Sequence, residues 1–143
     1  MKLVDANVLI YAVNSDSPHH ERSRQWLESA LSGTEVVGLT WGVLLAFLRV
    51  TTRRGILERP LAVGVAIEFI DSWVQQTSVE IVVPGPNHWT ILRALIAASG
   101  TAGNLTSDAH LAAHALEGGW ALVSTDSDFR RFSGLNVVNP VAS

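Results

Sequence analysis

A chain of 143 residues with net charge −3, 48% hydrophobic and 16% charged, is long enough for one buried core and too apolar for disorder. The lack of cysteine excludes disulfides and thiolate metal sites and fits a reducing cytoplasm, while the slight negative charge excludes wrapping of nucleic acid by bulk electrostatics. Apolar runs stop short of the roughly 20 residues of a membrane span, and "MKLVDANVLIYAV" shows no basic leader, so a cytoplasmic chain without a membrane partner is expected.

In chain order, "KLVD" reads as a first strand ending at Asp5. "SPHHER" then starts a helix near Pro18–Leu31, with proline at its opening. "EVVGL" (Glu35–Leu39) reads as a second strand, followed by helices near Trp41–Arg53 and Leu61–Gln76. "EIVV" (Glu80–Val83) is a third strand and Asn87–Ala98 a further helix. The flexible "GTAGN" leads into a helix over Thr106–Glu117, capped by Thr106 or Ser107 and ended by Gly118–Gly119. Leu105, Ala109, Ala112, Ala113 and Leu116 form its apolar stripe. "WALVS" (Trp120–Ser124) and a weaker "NVV" (Asn136–Val138) complete the strands. Strands recurring with helices between them, and strands of nearly continuous Val, Leu and Ile, predict an α/β domain over 1–143 with a central, mostly parallel sheet.

Ligands of such sheets bind outside the carboxyl ends of the strands. Asp5 ends the first strand, Asp126 and Asp128 follow the strand at Leu122, and Asp108 opens the helix feeding that strand. Their convergence requires the chain to enter that helix from the side of the strand ends, which the loop 100–104 can deliver. Carboxylates gathered in a dry cleft need a compensating cation, and an all-oxygen cluster suits Mg²⁺ or Mn²⁺, ions that assist phosphodiester hydrolysis. Each acid also has a plainer explanation. Asp108 complements a helix dipole, Asp5 beside Asn7 forms a turn, and Asp126 or Asp128 caps "SDFRRF".

"LVDANVLIYA", "NLTSDAHLAAHAL" and "ALVSTDSDFRRF", in this order, resemble the PIN-domain ribonucleases, and more narrowly the VapC-type toxins of the mycobacterial branch. "HHERSRQWLE", "LTWGVLLAFLRVTT" and "GLNVVNP" extend the resemblance over nearly the whole chain. It implies a three-layer α/β/α PIN-like domain with about five strands. It also implies endonucleolytic cleavage of RNA with Mg²⁺ or Mn²⁺, and neutralisation by a cognate VapB-type antitoxin. By position Asp5, Asp108 and Asp126 match metal-holding acids, and Asp128 an additional acid that is either a ligand or stands behind one. Thr125 matches the hydroxyl residue that orients the site, and Asn7 and Arg49 are placed with it around the ligands or the substrate. PIN-like domains usually pair, so a homodimer is expected.

One departure is plain. The glutamate that the family carries just before an "FLR"-like segment is here Ala46, with Asp16, Glu21 and Glu68 as possible substitutes. A non-catalytic domain that binds RNA or antitoxin is therefore the alternative reading. A dehalogenase-type or receiver-type phosphotransfer site fits less well, because the sole lysine is Lys2 and the residue two after Asp5 is Asn7.

The remaining features read as structural. His110 and His114 have the i, i+4 spacing of metal ligands, but a third ligand would have to be Glu117 or Asp108, so they read as boundary histidines. The five tryptophans read as core and dimer packing rather than base-stacking platforms. Arg49, Arg53, Arg54 and Arg59 follow an apolar helical strip that suits a partner helix or the RNA backbone.

Overall fold

The computed structural model describes residues 1–142. Five short strands, β1 (Lys2–Val4), β2 (Val37–Leu39), β3 (Val79–Ile81), β4 (Ala121–Val123) and β5 (Val137–Val138), form one sheet in the order β3-β2-β1-β4-β5. All four pairings are parallel. Such a sheet is stable only when helices cover both faces. They do so in three α/β/α layers: α1 (Ala6–Val13), α2 (His20–Ser32), α3 (Trp41–Thr52), α4 (Val63–Val74), α5 (His88–Ser99) and α6 (Thr106–Gly118).

The core is made where strands and helices meet: Leu3, Val4, Val37, Leu39, Leu122 and Val123 from the strands, with Val8, Leu9, Leu44, Phe47 and Phe129 against them. Gly38 in β2 has no room for a side chain, since a Cβ there would stand 2.8 Å from Val82 and 2.9 Å from Trp120. Helix α6 is buried nearly all round, through Ala109, Leu111, Ala112, Ala113, His114 and Ala115, as its alanine-rich sequence permits. Gly119, with φ of 70°, ends it in the left-handed conformation. Neither Thr106 nor Ser107 caps the helix; it continues from a 3-10 turn over Gly103–Leu105.

Helix α1 is absent from the sequence reading. "ANVLIYAV" is rich in residues that favour strands, yet Asp5 leaves β1 with extended backbone and its carboxylate accepts from Ala6 N–H, starting a helix at once. Trp73 and Trp120 are buried as core packing predicts, whereas Trp41 and Trp89 are more than half exposed.

The topology makes the site. From β1 the chain builds outward to β2 and β3, then returns to lay β4 on the other side of β1. Ligand crevices form where the winding reverses in this way, outside the carboxyl ends of the strands. There Asp5 follows β1, Thr40 follows β2 and Ser124 follows β4. Helix α6 runs into β4 through a tight turn, so it is antiparallel to the strands and its first turn lies at their carboxyl ends. That is the entry the grouping of Asp108 with Asp5 requires.

Candidate active site

The backbone fixes Asp5 first. Its N–H donates to the Val123 carbonyl at 2.9 Å, extending the β1–β4 ladder by one rung. One carboxylate oxygen, Oδ1, accepts from Ala6 N–H at 2.7 Å, and Oδ2 accepts from the Ser124 hydroxyl at 2.8 Å. Ser124 is 1% exposed. Its Oγ also accepts from the Asn7 side-chain amide at 3.2 Å and from Asp126 N–H at 3.0 Å. One buried hydroxyl thus ties the first and last acids of the site together. Thr125 takes part through its backbone N–H, which donates to Asn7 Oδ1 at 3.4 Å. The hydroxyl that orients these groups belongs to Ser124, one position before the expected residue.

Asp126 caps a short 3-10 turn, Ser127–Arg131, by accepting from Asp128 N–H at 2.8 Å. The capping and the functional readings of this acid are compatible, because a cap uses one oxygen and leaves the other. Burial raises the Asp5 carboxyl above its usual range, with the negative charge of Asp126 adding to it. Asp108 is pushed up to about 6, first by burial and then by the charges of Asp126, Asp5 and Asp128, while Arg131 pulls the other way. Asp108 thus registers the charges of all three other acids.

A cleft of about 370 Å³ opens beside them, lined on one side by Asp5 and on the other by Thr106, Ser107, Asp108 and His110. Helix α3 forms its third wall with Gly42, Val43, Ala46 and Arg49. Ala46 is thus at the cleft, where an acid would reach the others, and Arg49 lies one turn further along the same wall. None of the suggested substitutes lines this cleft. Asp16 is paired with Arg59, Glu21 with Arg24, and Glu68 lines a separate groove with Val65 and Phe69.

Carboxylate and hydroxyl oxygens make up the donor set at the strand ends, a set suited to a hard dication. Burial raises Asp108 first and the charges of Asp126, Asp5 and Asp128 add to it, and that charge excess is what such an ion would offset. The residues present fit Mg²⁺ or Mn²⁺, with Asp5, Asp108 and Asp126 able to hold it. Sequence reading missed Ser124. Ser124 ends an apolar strand at the same edge as Asp5, and a buried hydroxyl there needs partners.

This fold and this acidic edge are those of a nuclease-like α/β/α domain, and the profile described as PIN domain matches residues 2–135. The chain belongs to the PIN-domain family. It is 47% identical to ribonuclease VapC37 of Mycobacterium tuberculosis over 142 residues, covering 99% of each chain. To ribonuclease VapC33 of the same species it is 36% identical over 141 residues, again 99% of each. Among solved structures, a chain of VapBC2 from Rickettsia felis, bound to a promoter DNA fragment, superposes with TM-score 0.70 at 18% identity, covering 96% of this chain and 97% of that one. M. tuberculosis VapC20, a sarcin–ricin loop cleaving toxin, superposes with TM-score 0.67 at 17% identity over 94% and 96%. The last two likenesses concern the fold.

Proposed function

We propose that this chain is an endoribonuclease toxin of the VapC kind that hydrolyses RNA phosphodiester bonds with Mg²⁺ or Mn²⁺ held by Asp5, Asp108 and Asp126. The observation that carries this reading is the convergence of Asp5 and Asp108 on one open cleft, with Asp126 tied to Asp5 through the Ser124 hydroxyl. The kinship with VapC ribonucleases along the full chain supports the same activity. When bound, the ion supplies polarisation of a phosphoryl oxygen and acidification of a water towards neutral pH.

The protein's own groups have separable tasks. Ser124 sets the distance between Asp5 and Asp126, and Asn7 holds Ser124. Asp128 N–H fixes the Asp126 carboxylate, so Asp128 stands behind a ligand. Arg49, across the cleft, presents a planar fork suited to a phosphate. With Ala46 in the wall, three acids do the holding, and the strip Trp41, Leu45 on α3 remains exposed beside the cleft. That apolar strip supports neutralisation by a VapB-type antitoxin laid along α3, as VapBC assemblies are known among the fold's neighbours. A homodimer in the cytoplasm is part of the same proposal. Among the described residues no helix is long and apolar enough to cross a membrane.

The test is cleavage of a total-RNA pool by purified protein with Mg²⁺, Mn²⁺ or EDTA, beside Asp5→Asn. Discrete fragments that need the ion and vanish in the variant are expected. No cleavage with either ion, while RNA still binds, would move the assignment to a non-catalytic binder.

A further inference from the structure

A second group of potential ligands lies on the same helix. His88, at the start of α5, meets His110 and His114 of α6, and one ring nitrogen from each lies within 4.8 Å of the other two. The rings pack with centroids 4.5–4.7 Å apart. Nε2 of His88 and Nδ1 of His110 are 2.8 Å apart, one donating and one accepting. His88 is 8% and His114 3% exposed, and Nδ1 of each is buried without a partner. A buried ring nitrogen without a partner is costly, and His88 and His114 each carry one.

Glu117 explains how His88 gets there. Its two carboxylate oxygens accept from the backbone N–H groups of Gly85 and Asn87, each at 2.8 Å, fastening the loop before α5 onto α6. Glu117 is thereby occupied, and the third member beside His110 and His114 is His88.

The geometry points to a three-histidine site for a borderline divalent transition ion of the Zn²⁺ class, adjoining the acidic cleft but sharing none of its acids, that staples the start of α5 to successive turns of α6. Three imidazoles and one open position are a common zinc arrangement, and nitrogen donors select against the Mg²⁺ that the carboxylates favour. At a tetrahedral ion the ligand nitrogens stand about 3.4 Å apart, so ring rotations that bring nitrogens now within 4.8 Å of one another to that spacing, and open the 2.8 Å contact, complete the site. The half-buried His110 also lines the acidic cleft, so the two regions meet at this residue. His114 is held neutral by its burial, which is the form that binds a metal.

The test is a titration of the full chain, stripped with EDTA, with Co²⁺ as the spectroscopic probe and Zn²⁺ as the stabilising one, both under saturating Mg²⁺. One Co²⁺ per chain with a visible ligand-field band is expected. Zn²⁺ at about a hundredfold its Kd raises Tm by roughly 5–10 °C. Co²⁺ affinity falls at least about a hundredfold in His88→Gln and in His114→Gln and is unchanged in Asp5→Asn. A band that survives both histidine variants, or that is lost in Asp5→Asn, overturns the proposal. Should the histidine variants not fold, the wild-type protein decides: a Zn²⁺ shift in Tm that Mg²⁺ leaves intact supports the site, and one that Mg²⁺ abolishes, or no shift, overturns it.

Discussion

Asp108 and His114 stand on the same helix, and burial moves them in opposite directions, the carboxyl up to about 6 and the imidazole down to about 4. In both cases the charged form is disfavoured, since desolvation penalises charge of either sign. The consequences differ. A neutral imidazole packs readily against other rings, as His114 does against His88 and His110. A carboxyl near other carboxylates meets their charge as well, and the charges of Asp126, Asp5 and Asp128 add to burial in raising Asp108. One helix thus contributes Asp108 to an oxygen-donor region and His110 and His114 to a nitrogen-donor one.

Removing the link that holds the acidic region together has the largest effect on stability. Ser124→Ala deletes one hydroxyl that serves Asp5, Asn7 and Asp126. A loss of about 2–3 kcal/mol in urea unfolding is expected. A change within about 0.5 kcal/mol would mean that the two acids are placed independently of it.

Next comes the acid limb of the histidine region. The folded pKa of His114 lies below its unfolded value, so its contribution is present above about 6.5 and is lost as pH falls towards about 4. In EDTA the wild type loses on the order of 2 kcal/mol over that window through this group. His114→Gln flattens that limb, which a series of denaturation curves at stepped pH measures.

The sign reverses at the other region. Asp108 has a folded pKa raised above the unfolded one, so its favourable contribution exists below about 3.9 and is lost as pH rises through about 6. Asp108→Asn therefore stabilises the metal-free protein at pH 7, by on the order of 1 kcal/mol after discounting for solvent screening. The gain disappears near pH 4, and Mg²⁺ removes it by stabilising only the wild type. Identical Tm values for the two proteins at pH 7 in EDTA would show that neither burial nor the neighbouring acids penalise the Asp108 charge. The smallest effect belongs to the cleft wall. Arg49→Ala weakens RNA binding several-fold and lowers the salt slope of binding by about 1, as loss of one phosphate contact does.

Much of this was legible from residue order. The apolar strand cores and the glycine stop of α6 are local signals, and three acids at strand ends follow from parallel topology. Helix α1 was not legible, because "ANVLIYAV" looks like a strand until the Asp5 cap is seen to form. Ser124 was hidden behind Thr125, since two adjacent hydroxyl residues differ only in which one the β4 pleat turns inward. His88 could not be joined to His110 and His114 without knowing that Glu117 binds the loop ahead of α5. Such contacts across the chain leave no periodic trace in sequence.

The most direct measurement is the single-turnover cleavage rate of a defined RNA by wild type and Asp108→Asn, each with Mg²⁺ and with EDTA. Cleavage by the wild type only with Mg²⁺, and a fall of at least about a hundredfold in the variant, is the predicted result. Cleavage that persists in EDTA, or that Asp108→Asn leaves intact, would contradict a metal-assisted site at the acidic cleft.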